Sequence, residues 1–268
     1  MRGTLAFVFL MLAGTLLLSS CKMWPASADR SLPPRIVSGT ATKALVSVDS
    51  SDTSEFYISY NYFSHAPDAT VCDSVYKDSV NDIISGHVSY VTLADVDDSF
   101  EDLSHSFFES RLDAVAQQWD SIKRDGDVPW SLEFQASIRD RPSYAELVVS
   151  SWLFAGGAHG NGHDAYYLID RASGRSLTLS DFVTDTEALT SIVERYFREE
   201  KVIGESESLS DYGFWFDNDE FVVSENFKTA EDALIFFYNF YEIAPYIEGP
   251  TQLTVPISEI QHLLKRDF

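Results

Sequence analysis

The chain has 268 residues, of which 45% are apolar and 14% aromatic. That supplies a packed core and excludes a disordered chain. Its 42 acids against 19 bases give a formal charge of −23, which disfavours nucleic acid and anionic membrane surfaces and favours basic partners, with solubility alone as the alternative. Two cysteines exclude a disulfide framework and a thiolate zinc site.

The first residues, MRGTLAFVFLMLAGTLLLSSC, place Arg2 before an apolar run from Leu5 to Leu18. The run is too short for a spanning helix and ends in small residues, the pattern of a secretory signal. Its ending, Leu18-Ser19-Ser20-Cys21, resembles the lipobox of bacterial lipoproteins. The resemblance implies cleavage after residue 20 and lipidation of Cys21, and a multiply acylated cysteine is a stable anchor. Residues 1–20 are then a leader. Without its single arginine the mature chain carries −24. Residues 21–34 are rich in Pro, Ser and Ala and form a lipidated tether that spans on the order of 40 Å when stretched. Lys22 rather than an aspartate follows the cysteine, which in a cell with two membranes points to the outer one.

A smaller N-terminal domain is expected over 35–150. Phe56, Ile58, Tyr60 and Tyr62 alternate in EFYISYNYF and predict a strand. Val71, Val75, Tyr76, Val80, Ile83 and Ile84 recur at helical spacing, with Cys72 expected to be buried there. A second helix carries Phe100, Leu103, Phe107, Leu112, Val115, Trp119 and Ile122 on one face. Alternation returns in SLEFQASIRD and continues in YAELVVSSWLF.

A C-terminal module is expected over 151–268. A glycine-rich turn separates the strand ending near Phe154 from one beginning near Ala165. Leu177, Leu179 and Phe182 lead to a helix with Leu189, Ile192, Val193, Tyr196 and Phe197 on its apolar face, and Thr184 and Glu187 fit a capping box. Residues 203–220 read as a loop. FVVSENFKT and LIFFYNF form a hairpin, TQLTVPI is a last strand, and Ser258 fits the cap of a short final helix. The order predicts an α+β fold with a mainly antiparallel sheet and packed helices.

Two segments are candidate functional sites. In the first, Gly156, Gly157 and Gly160 permit backbone angles closed to other residues, and Asn161 follows them. His159 is placed to lock this turn through a backbone carbonyl; a binding surface on the loop is the alternative. A metal site at His159, His163 and Asp164 is disfavoured, because His-x-x-x-His converges only on a helix. The second is YEIAPYIEG. Tyr241, Glu242, Pro245 and Tyr246 lie in an irregular, stiff segment, which suits a contact surface; a buried crossover is the alternative. FWFDNDEF, residues 214–221, mixes aromatics with acids, to meet a basic cleft or to fold onto the core. No Gly-x-Ser-x-Gly elbow, His-Glu-x-x-His or phosphate loop is present. No catalytic residue, metal or cofactor is assigned.

Residues 156–183, GGAHGNGHDAYYLIDRASGRSLTLSDFV, and 233–260, ALIFFYNFYEIAPYIEGPTQLTVPISEI, together resemble the extracytoplasmic region of RsiV-type anti-sigma factors. The module is also similar to the one preceding the catalytic domain of PdaC-type polysaccharide deacetylases. Residues 55–150 resemble the smaller domain of unknown function that accompanies it. The resemblance implies two intimately associated subdomains outside the cytoplasm and a direct grip on lysozyme. No cytoplasmic or deacetylase segment is expected here, so the binding module alone remains. The expected function is an envelope lipoprotein that binds a lysozyme-like muramidase as inhibitor, decoy or sensor component. The alternative is a polysaccharide-binding or hydrolytic accessory of the cell wall.

Overall fold

A computed structural model describes residues 36–46, 53–64, 71–92, 103–122 and 128–265. Cys21 and Phe100 lie outside the described residues, and Cys72 lies in a stretch whose side chains are not described. Five strands form one sheet in chain order: β1 (Ile36–Val46), β2 (Thr53–Phe63), β3 (Ser131–Asp140), β4 (Tyr144–Phe154) and β5 (Asn161–Asp170). All neighbours are antiparallel except β2 and β3. A parallel pair needs a crossover. Here α1 (Val71–Val91) and α2 (His105–Ile122) supply it.

Both helices pack on one face of the sheet. Tyr76, Val80, Ile84 and Val88 of α1 and Phe107, Phe108, Leu112 and Val115 of α2 share a core with Phe56, Ile58, Phe134, Leu147 and Val149. Asn81 in α1 clamps the end of β2, accepting from the Phe63 N–H at 3.0 Å and donating to its carbonyl at 2.9 Å. Among the described residues no helix is long and apolar enough to cross a membrane.

The second layer is built from the C-terminal half. After α3 (Leu179–Phe182) and α4 (Thr186–Lys201), a three-stranded antiparallel sheet forms from β6 (Phe227–Thr229), β7 (Ala233–Tyr238) and β8 (Thr251–Pro256). The short α5 (Ile257–Ile260) follows. Leu189, Val193 and Phe197 of α4 pack with Leu234, Phe236, Leu253 and Val255 in a second core. That core also takes Tyr144 from β4 and Leu168 from β5. The next residues, Ala145 and Ile169, belong to the first core. Successive strand residues face opposite ways, so β4 and β5 serve both cores. The division runs between the faces of one sheet, and residue 150 lies inside β4.

The fold is α+β, with the antiparallel predominance expected. Four local expectations change. β5 begins at Asn161 rather than near Ala165, because Gly162 and His163 pair with Trp152 and Ser151. The edge strand β1 adds to the expected strands; only Ala41 in it is fully buried, so its alternation is faint. The cap of α4 is Asp185, whose carboxylate accepts from the Ala188 N–H at 2.9 Å. Thr184 instead bonds the Leu263 carbonyl, so the Thr184–Glu187 capping box does not form. Pro256, not Ser258, occupies the cap position of α5.

Candidate functional site

The glycine–histidine turn and the Tyr241–Gly249 segment meet in space. Gly156 and Gly157 have φ of 87° and 96°, which L-residues rarely adopt, and they turn the chain out of β4. His159 follows on the exposed side of this turn. Its Nδ1 lies 2.9 Å from the Gly160 carbonyl, which can only accept, so Nδ1 carries the proton. Nε2 lies 3.1 Å from the Tyr241 hydroxyl. These two contacts hold the ring between the Gly160 carbonyl and the Tyr241 hydroxyl.

Rings stack on that histidine. Tyr246 lies parallel to His159 at 3.6 Å between centroids, and Phe240 stacks on Tyr246 at 4.6 Å. Tyr241 tilts against Tyr246 at 5.6 Å. Tyr241 itself has φ of 61°, an unusual conformation for an aromatic residue, and is half exposed. Strain of this kind persists where the surroundings fix it. Beneath the stack, Trp152 lies so close to Gly160 that a Cβ there would meet its ring at 2.3 Å. A Cβ on Gly162 would meet Phe240 and Trp152, each at 3.3 Å. Gly160 and Gly162 thus make room for an indole and a phenyl ring; positive φ is needed only earlier in the turn.

The remaining expected residues take supporting positions. Glu242 is turned back into its own loop, where its carboxylate accepts from the Asn239 backbone N–H at 2.7 Å. Pro245 opens the 3-10 turn 246–248 that carries Tyr246. Asn161 is the exposed first residue of β5. His163 points to the other side of the sheet, 6.3 Å ring to ring from His87 of α1, so it does not join His159. Among the described residues no group of three His, Cys, Asp or Glu side chains converges as a metal site.

Two asparagines dock the loop-bearing layer onto β5. Asn239 accepts from the Asp164 N–H at 2.7 Å, and Asn226 accepts from the Tyr166 N–H at 2.8 Å. Both amides donate to the Asp164 carbonyl, at 3.0 and 2.8 Å. Farther along, the Leu177 N–H donates to the Leu168 carbonyl at 2.7 Å. Side-chain amides and the returning chain therefore pair the backbone of this edge, which a bare strand would leave open. Nothing in the local sequence marks Asn226 or Asn239 for this role. Phe240 and Trp152 are equally hidden, since both sit in or beside runs that read as ordinary strands.

Residues 180–258 match the model of a family described as a protein of unknown function, DUF3298. The matched stretch runs from α3 into α5, so it holds the Tyr241–Gly249 segment and not the His159 turn. Two solved structures share the fold. A member of the DUF3298 family from Bacteroides fragilis is 18% identical, with a TM-score of 0.63 over 87% of this chain and 94% of its own. A DUF3298 family protein from Pseudomonas aeruginosa is 19% identical, with a TM-score of 0.57 over 87% and 95%. No curated protein matches the chain.

Proposed function

We propose that this chain is an envelope lipoprotein whose DUF3298 stretch, together with the His159 turn, binds a cationic protein of the lysozyme type. The observation that supports this reading is the convergence of His159, Tyr241 and Tyr246 on one exposed, preorganised cluster. Rigid aromatic side chains lose little entropy on contact and recur as binding hot spots. The acid excess suits a basic partner, and the resemblance of the two segments to RsiV-type proteins names lysozyme as the first one to try. Inhibitor, decoy and sensor component are the roles such binding would serve.

Tyr241→Ala tests the site, because its ring is half exposed and its loss leaves the Tyr246–Phe240 stack in place. Calorimetry of the full chain in detergent against lysozyme is expected to show a loss of about 1–2 kcal/mol in affinity, with the melting temperature held. Affinity should also fall as salt screens the attraction. Unchanged affinity in Tyr241→Ala removes the cluster from the interface. If lysozyme fails to bind and the protein sediments with insoluble wall polymer, the site belongs to a carbohydrate.

The anchor has its own test. Cys21→Ser is expected to move the protein from the membrane fraction to the soluble one and to abolish metabolic labelling with a fatty acid. An unchanged fractionation, with no label on the unmutated protein, refutes lipidation.

A further inference from the structure

Large hydrophobic side chains left in water are concentrated in one part of the chain. Of the eleven exposed among the described residues, six fall between 202 and 247: Val202, Tyr212, Trp215, Val222, Tyr241 and Ile247. Residues 205–248 also carry eleven acids against a single lysine, Lys228, a net of −10. Exposed apolar side chains in a strongly acidic segment suit a cationic protein as partner.

Trp215 is the largest of these anchors, and its loop is held rigid. Its neighbours Phe214 and Phe216 point inward and pack edge-on against Phe197 of α4, with centroids 4.9 and 5.6 Å away. Trp215 between them is 52% exposed. On either side the backbone is fixed in left-handed conformations, at Gly213 (φ 88°), Asn218 (φ 55°) and Asp219 (φ 64°). The Asp219 carboxylate accepts from the Ser210 N–H at 2.7 Å, and that bond holds its pKa below the usual range. Glu207 accepts from the Gly204 N–H and the Tyr212 hydroxyl, both at 2.7 Å. A tryptophan that served only the core would be buried like its neighbours; this one is held out by them.

The loop is joined to the site already described. The Trp215 N–H donates to the Ile243 carbonyl at 2.8 Å, midway between Tyr241 and Pro245. That bond sets the two segments side by side. We propose that Trp215 is a second anchor of the same binding face, inserted into an apolar recess on a positively charged protein. The proposal rests on the protein-binding reading above and extends that face from the Tyr241–Ile247 segment to the 203–222 loop.

The test uses the full chain in detergent and lysozyme as the probe. Trp215→Ala is expected to weaken the dissociation constant at least tenfold, at low and at high salt alike, and Trp215→Phe to recover part of the loss. Asp211→Asn, an exposed rim acid, should change the salt dependence more than the affinity. Hydrogen exchange of the unmutated complex should show residues 210–222 protected on binding, a readout that does not depend on whether the alanine variant folds. Lysozyme binding without protection of this loop, or with Trp215→Ala folded and at full affinity, overturns the second anchor and leaves the Tyr241 site standing. No lysozyme binding by the unmutated chain overturns both.

Discussion

Glu146→Ala is expected to lower the unfolding free energy by about 3 kcal/mol, the largest single effect foreseen here. Glu146 lies on β4 and is only 2% exposed. Its Oε2 accepts from the Thr229 backbone N–H at 3.1 Å and from the Thr229 hydroxyl at 2.8 Å, while Oε1 faces Arg139 at 3.2 Å. With its proton committed to Glu146, the Thr229 oxygen accepts from the Tyr144 hydroxyl at 3.0 Å. Truncation leaves a buried N–H on β6 without an acceptor, and that penalty outweighs the half-exposed ion pair with Arg139. Glu146→Gln keeps an acceptor oxygen and should cost about 1 kcal/mol. Denaturant unfolding checks both numbers. Because Glu146 fastens one sheet to the other, the alanine variant should also separate the melting of the two cores. A loss under 1 kcal/mol with a single unbroken transition would mean that the joint is held by apolar packing alone.

Acid should weaken the protein through His87. Its Nε2 sits 2.7 Å from the Tyr167 hydroxyl, and its ring is 6.3 Å from that of His163. Burial first, and then the neighbouring His163, push its pKa down to about 4. An unfolded histidine titrates near 6.5, so between these values the unfolded chain holds a proton that the folded one refuses. Stability is therefore full above the higher value and falls as pH drops toward the lower one, by about 2–3 kcal/mol between about pH 7 and about pH 4.5. Urea unfolding at about pH 7 and about pH 4.5 measures the loss. His87→Gln can retain a bond to Tyr167 and takes up no proton, so its change over the same interval should be smaller by that amount. An equal loss in both proteins would trace the acid sensitivity to other groups.

Much of the architecture is readable in the chain because several segments obey one rule at a time. Phe56, Ile58 and Tyr60, or Leu132, Phe134 and Ala136, alternate cleanly since their other face meets water. The edge strand Ile36–Val46 escapes notice because it buries little. The start of β5 escapes because Gly160 and Gly162 look like turn residues, although they are small to fit under Trp152 and Phe240. Asp185 displaces Thr184 as a cap by one position, a shift that composition does not resolve. The site is harder still. Both of its segments stand out locally, one by glycines and a histidine, the other by tyrosines and prolines. Their meeting is made by the stacking of Tyr246 on His159 and by docking through Asn226 and Asn239, contacts between residues far apart in the chain. Periodicity carries no information about such contacts.

The sharing of β4 and β5 between two cores bears on how this chain can change over generations. Along these strands, odd and even positions answer to different neighbours, with Ala145 and Ile169 on one side and Tyr144 and Leu168 on the other. Inserting or deleting a single residue would exchange the two sets, turning every inward side chain to the wrong partner at once. Substitutions can accumulate here one face at a time, but changes of length cannot. Relatives that keep both layers should thus hold these strands to a fixed count and place their gains and losses in the turns.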